Sequence, residues 1–158
     1  MKLSDEMQRV VREQRLGFVA TVTPDGLPNL SPKGTTRLWD DERLFFADIA
    51  SPGTVANLRA NPHVDVNVVD PILRKGFRFK GTATVYTSGE MYEHGLRILR
   101  EQGSTTNRER VRSIVVIDVT DAAELVSPAY DDGATELAIS QRWIDYYTGL
   151  HRLELPHD

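Results

Sequence analysis

The chain of 158 residues carries 19 Lys and Arg against 23 Asp and Glu, a formal charge of −4, and no cysteine. Its length fits one domain, 1–158, with a substantial core. Its acidity, with pI ≈ 5.6, excludes a general nucleic-acid or anionic-membrane binder, which needs a net positive surface to capture phosphates.

In chain order, Leu3, Met7, Val10, Val11 and Gln14 fall at helical spacing behind Ser4, a capping residue, with Asp5 and Glu6 favourably placed in the first turn. The charges of MKLSDEMQRVV stand where a signal peptide has its apolar stretch, and no apolar run reaches the roughly 20 residues that span a bilayer; a cytoplasmic protein is expected. GFVATVT, residues 17–23, is rich in strand formers, and Pro24, Asp25 and Gly26 form a turn. The chain returns as a second strand toward Trp39, turns at 40–42, and runs as a third strand over 43–47. A short helix over 54–61 stops at Asn61-Pro62, because a residue before proline avoids the α region. HVDVNVV (63–69) and GFRFKGTATVY (76–86) alternate apolar and polar residues, the pattern of strands with one solvated face. Met91, Gly95, Ile98, Leu99 and Gln102 mark a helix, and RSIVVIDV (112–119) a sixth strand, apolar on both faces as if covered by a partner or by the last helix. That helix starts near Thr135, with Ile139, Trp143, Tyr147 and Leu150 on one stripe. Six strands joined by hairpins and short helices predict a mainly β (α+β) fold, a small antiparallel barrel with peripheral helices.

Few chemical classes remain. The absence of cysteine excludes disulfides and thiolate catalysis, and His63, His94, His151 and His157 lack zinc-type spacing, so no metal is expected. There is neither a dinucleotide glycine fingerprint nor a phosphate-binding loop. The segment TVTPDGLPNLSPKG is different in kind. Pro28 and Pro32 cannot donate ladder hydrogen bonds, so the second strand is an edge or is bulged there, and Gly34 admits close approach to its backbone. Lys33 and Arg37 lie on this strand, and Ser51 and Thr54 stand at a helix start, where free N–H groups suit a phosphate. Taken singly, Lys33, Arg37, Arg78 and Lys80 read as solvated charges. Trp143, Tyr146 and Tyr147 have the spacing of core aromatics.

Together, GFVATVTPDGLPNLSPKG, LFFADIASPGTVANLRANPHVDV and GFRFKGTATVY resemble the pyridoxamine 5'-phosphate oxidase-like flavoproteins over about residues 5–125. The resemblance implies a six-stranded antiparallel split barrel over about 15–125 with a helical segment over about 126–158. It also implies non-covalent FMN between the two subunits of a homodimer. Carried over by position, cofactor contacts fall on Pro32, Lys33, Gly34, Thr35, Thr36 and Arg37, then on Phe46, Ala47, Asp48 and Ile49. The phosphate turn falls on Ser51, Thr54 and Val55, with Pro52 and Gly53 where members often carry arginine and lysine. Gly76 takes the place of a glutamine contact, Arg78 and Lys80 share a face of the fifth strand, and Tyr130 and Trp143 are aromatics that could stack on a flavin. The implied activity is an FMN-dependent oxidoreductase acting on a small molecule, with NAD(P)H as a possible donor; no nucleic acid, membrane or catalytic side chain is assigned. Vitamin B6 oxidation is not expected, since the true oxidases hold the substrate phosphate with an arginine- and histidine-containing C-terminal segment, and GLHRLELPHD offers only His151 and Arg152 in a different setting. The alternatives are an F420-dependent reductase, a haem-binding relative, and a non-catalytic flavin or ligand module.

Overall fold

The computed structural model describes residues 1–151; Arg152 and His157 lie outside the described residues. One sheet of seven antiparallel strands, in the order β2-β1-β5-β6-β7-β4-β3, carries four helices. The strands are β1 (Gly17–Val22), β2 (Pro28–Lys33), β3 (Arg37–Leu38), β4 (Arg43–Asp48), β5 (His63–Asp70), β6 (Lys75–Tyr86) and β7 (Ser113–Val126). The helices are α1 (Asp5–Gln14), α2 (Pro52–Ala60), α3 (Gly89–Glu101) and α4 (Glu136–Leu150). This is the mainly β split barrel that the sequence predicts, with one more strand.

The extra strand arises because the predicted second strand breaks. Its first half, β2, pairs with β1 at one edge of the sheet, and its second half, β3, pairs with β4 at the other. Residues 34–36 therefore connect the two edges and curl the sheet toward closure. Hydroxyls fix the connection. Thr36 Oγ1 donates to the Lys33 carbonyl at 2.8 Å, and Thr35 Oγ1 accepts the Ala47 N–H at 2.9 Å. Gly17 belongs to the same joint, since a Cβ there would lie 2.6 Å from Thr36 Oγ1.

The barrel interior holds Val19, Val66, Val68, Phe79, Val115 and Ile117, all but inaccessible, and it is covered by Val10 and Val11 of α1 together with Leu3 just before the helix. Ser4 caps α1 by accepting the Met7 N–H, as its position predicts. Helix α2 packs on the barrel through Val55 and Leu58, and Asn57 Nδ2 donates to Thr21 Oγ1 at 3.0 Å.

The doubly apolar sixth strand has an internal cover. Val115 and Ile117 face the barrel interior, while Ile114 and Val116 meet Leu96, Ile98 and Leu99 of α3. Neither a partner nor the C-terminal helix is needed to bury it. Strand β7 also runs to Val126, beyond the predicted end, and Pro128–Tyr130 form a 3-10 turn leading to α4. Helix α4 buries only Ile139 of its stripe.

Candidate functional site

The break in the second strand creates the chemistry. Pro32, Lys33, Gly34 and Thr35 form one wall of an open cleft; Ala47, Ile49, Ala50 and Ser51 form another, and Thr106 of the α3–β7 loop borders it. The cleft encloses about 730 Å³, including its solvent-open mouth. Nothing stands within 4 Å of where a Cβ on Gly34 would be, so the backbone there is open to a ligand.

Lys33 is the central group. It is only 4 % exposed, yet no carboxylate lies within ion-pair distance among the described residues. Its ammonium donates to Ser31 Oγ at 2.6 Å and Ser51 Oγ at 2.5 Å, and lies 5.7 Å from the centre of the Phe46 ring. Burial pushes its pKa below the ordinary lysine value, and the Asp48 charge opposes that shift in part. Asp48, itself buried, is held on the turn by accepting the Ser51 N–H at 2.9 Å. Two of the three ammonium protons are thus engaged by neutral oxygens.

Ser51 starts α2 but caps none of its N–H groups, and Pro52 at the first helical position has no N–H to offer. The first turn of α2 thus ends beside the cleft with its N–H dipoles uncapped by the serine.

The remaining carried-over residues separate into four groups. Thr36 and Arg37 are buried in the joint. The Arg37 guanidinium is committed to the carbonyls of Thr36 at 2.7 Å, Gly34 at 3.2 Å and Arg15 at 3.2 Å, with its Nε unpartnered. It braces the connection through these carbonyls. Phe46, Thr54 and Val55 point inward, so their side chains support the site from behind. Gly76 stands apart from these groups: it lines a different recess beside α1 and α4, where an added Cβ would run into the Val68 carbonyl oxygen, and close packing of neighbouring strands accounts for that glycine.

Tyr130 and Trp143 form the third group, gathered on the β5–β6 turn. The Tyr130 hydroxyl donates to the Leu73 carbonyl at 2.8 Å, and the Arg74 guanidinium lies 3.5 Å from the Trp143 ring centre. Within this chain they do not line the cleft. The fourth group, Arg78 and Lys80, is exposed on the outer face of β6, with Lys80 3.4 Å from Asp65. The register places one row across the sheet as Pro32, Phe18, Asn67 and Arg78, and the next as Leu30, Ala20, Asp65 and Lys80. The two cations therefore share a face with the edge of the cleft.

Ala50 and Thr106 escaped the sequence reading. Ala50 sits in a turn already singled out, so its neighbours pointed to it. Thr106 is brought in from a distant loop, and nothing in its local sequence marks it.

A curled antiparallel sheet whose two edges are joined through a kinked strand defines the split-barrel class of β proteins. The chain belongs to the pyridoxamine 5'-phosphate oxidase family, whose model matches residues 3–125. Among solved structures, HupZ of Group A Streptococcus is 30 % identical, with a TM-score of 0.70 over 79 % of this chain and 95 % of its own. An F420 reductase is 21 % identical, with a TM-score of 0.62 over 77 % of this chain and 98 % of its own. HutZ, a haem storage protein from Vibrio cholerae, is 18 % identical, with a TM-score of 0.61 over 80 % and 95 %. The last two share the fold, and a fold of this kind does not by itself choose its ligand. No helix among the described residues is long and apolar enough to cross a membrane.

Proposed function

We propose that this protein binds FMN non-covalently in a homodimer and uses it for hydride transfer to or from a small molecule. The observation that carries the proposal is Lys33, a buried cation with no carboxylate within ion-pair distance among the described residues, in an open cleft. Such a charge is costly to bury unless oxygen-rich or anionic groups complete its shell. The residues present fit the group in kind. Lys33 and the first turn of α2 suit a phosphate or ribityl oxygens, and the open backbone at Gly34 suits close approach of a polar ring edge or chain. The chemistry such a group supplies is hydride exchange at its N5, so the protein need only bind, orient and shield, which agrees with the lack of a catalytic constellation. No described histidine lines the cleft, so an imidazole ligand for haem iron is not at hand there.

The outer face of β1 and β2 supports the homodimer. Phe18, Val22 and Leu30 are exposed there, Leu30 at 66 %, and the same face ends at Pro32 on the cleft. Covered by a second copy, this face would wall the cleft and bring the Arg78 and Lys80 surface close to it, supplying cations where Pro52 and Gly53 provide none.

Fluorescence titration of purified protein, freed of bound cofactor, with FMN and in parallel with F420 tests the assignment. Saturable FMN quenching at one per subunit is expected; saturation by F420 alone, or by neither, would overturn it. Repeated reduction by NADPH or NADH and reoxidation by an acceptor is expected of the enzyme, whereas a flavin that is held without turnover marks a binding module.

A further inference from the structure

Helix α4 lies beyond residue 125, where the match to the family ends, and most of its apolar surface is unburied. Ile139 packs inward, while Leu137 and Ile144 share a stripe on the opposite side and are 78 % and 47 % exposed. A helix with apolar residues on opposite sides is suited to lie between two surfaces. Its own barrel supplies one of them, through Ile139, the stacking of Arg74 on Trp143 and the ion pair of Lys75 with Glu136. The outer face of β1 and β2 has the matching deficit, since Phe18, Val22 and Leu30 are left exposed by the single chain.

Position and charge fit the two patches to each other. Val69 and Trp143 line one recess, and Val69 takes the outer face of β5 by alternation with the buried Val66 and Val68. Helix α4 therefore sits at one end of the face whose other end carries Leu30. Leu30 shares a row with Asp65, about 13 Å from Val69 along β5. A two-fold axis normal to this face exchanges its ends and lays each helix on the other subunit's hairpin. The spans agree. Leu137 and Asp145 stand about 12 Å apart along the helix axis, and three inter-strand steps, about 14 Å, separate Leu30 from the surface of Arg78 and Lys80. Asp145, beside the stripe, and Arg78 are both exposed, and neither has an ion-pair partner among the described residues. Residues 126–151 carry four carboxylates against one arginine, so the segment is acidic where the sheet face offers cations.

We propose that α4 of one subunit packs across the outer face of β1 and β2 of the other, with Leu137 against Leu30 and Asp145 toward Arg78. The proposal rests on the homodimer reading and names the element that covers its face. Because Pro32 is about 7 Å along the strand from Leu30, the second subunit's helix then stands at the mouth of the Lys33 cleft.

The chain has no cysteine, so introduced thiols report this contact without background. Chains carrying Leu30→Cys and Leu137→Cys are co-expressed, purified without added FMN and treated with a short bismaleimide. A covalent dimer is expected from the mixture and none from either variant by itself. Cross-linking of Leu30→Cys alone would set hairpin against hairpin, and of Leu137→Cys alone helix against helix. Either result, or no cross-link from the mixture, would overturn the proposal. Leu137→Glu combined with Ile144→Glu should shift sedimentation from dimer to monomer with an unchanged circular dichroism spectrum, since both side chains are exposed in the single chain. A parent protein that sediments as a monomer overturns the homodimer and this arrangement together, whereas a double variant that stays dimeric overturns the role of α4 alone. Both readouts are made without cofactor, so failure of the FMN titration leaves them standing.

Discussion

Lys33 and Arg37 stand four residues apart on what reads as one strand, and both are cations with almost no exposed surface. Their surroundings give them different roles. Arg37 directs its donors to carbonyls around its own joint, whereas Lys33 meets two serine hydroxyls, the Phe46 ring and an open cleft. Lys33→Met should therefore lower FMN affinity at least tenfold, about 1.4 kcal/mol, while the melting temperature stays level or rises, because a buried charge is exchanged for an apolar chain of similar length. A fall in melting temperature with unchanged FMN affinity would refute the assigned role. The same lysine sets a pH dependence. Its folded pKa lies below the ordinary lysine value of 10.5, because burial disfavours the charged form, so the unfolded chain holds that proton more tightly. Its contribution to stability therefore rises with pH across the window between the lowered value and 10.5. Urea unfolding of the parent and Lys33→Met across that window should show the parent gaining on the variant as pH rises.

At the level of elements, the site depends on supports that contribute no atom to the cleft. Helix α3 closes the outer side of β7, and its contact is tightest at Gly95, where an added Cβ would lie 2.7 Å from an Ile114 methyl. Gly95→Ala forces either the helix or that side chain to shift. An overpacking cost of about 1–3 kcal/mol is expected, offset in part by the better helix propensity of alanine. Chemical denaturation would measure it, and a variant as stable as the parent would show that the α3 contact yields freely. Since Ile114 pairs with Ala47 on the cleft wall, a modest loss of FMN affinity should accompany the loss of stability.

For the whole molecule, the exposed apolar face of β1 and β2 is the feature that a single chain leaves unexplained. Leu27 and Leu30 are 62 % and 66 % exposed on a hairpin whose edge opens into the cleft. Apolar side chains grouped in this way mark a contact surface. Leu30→Glu should convert a dimer to a monomer in sedimentation analysis and weaken FMN in parallel, without loss of secondary structure. A variant that remains dimeric would place the interface elsewhere.

The amino-acid sequence alone determined the order of strands and helices, the Ser4 cap, the alternating faces of β5 and β6, and the importance of the segment around Pro32 and Gly34. These features rest on local chemistry: side-chain periodicity, the missing N–H of proline and the freedom of glycine. Tertiary structure decided everything that depends on which distant groups meet. It split one expected strand between two sheet edges, turned Arg37 inward, and covered β7 with α3. It also moved Tyr130 and Trp143 to the β5–β6 turn and brought Thr106 to the cleft. The physical reason is that hydroxyl and carbonyl partners for a buried cation come from other elements. A strand pattern specifies which face a side chain takes, but only closure of the barrel specifies what it finds there.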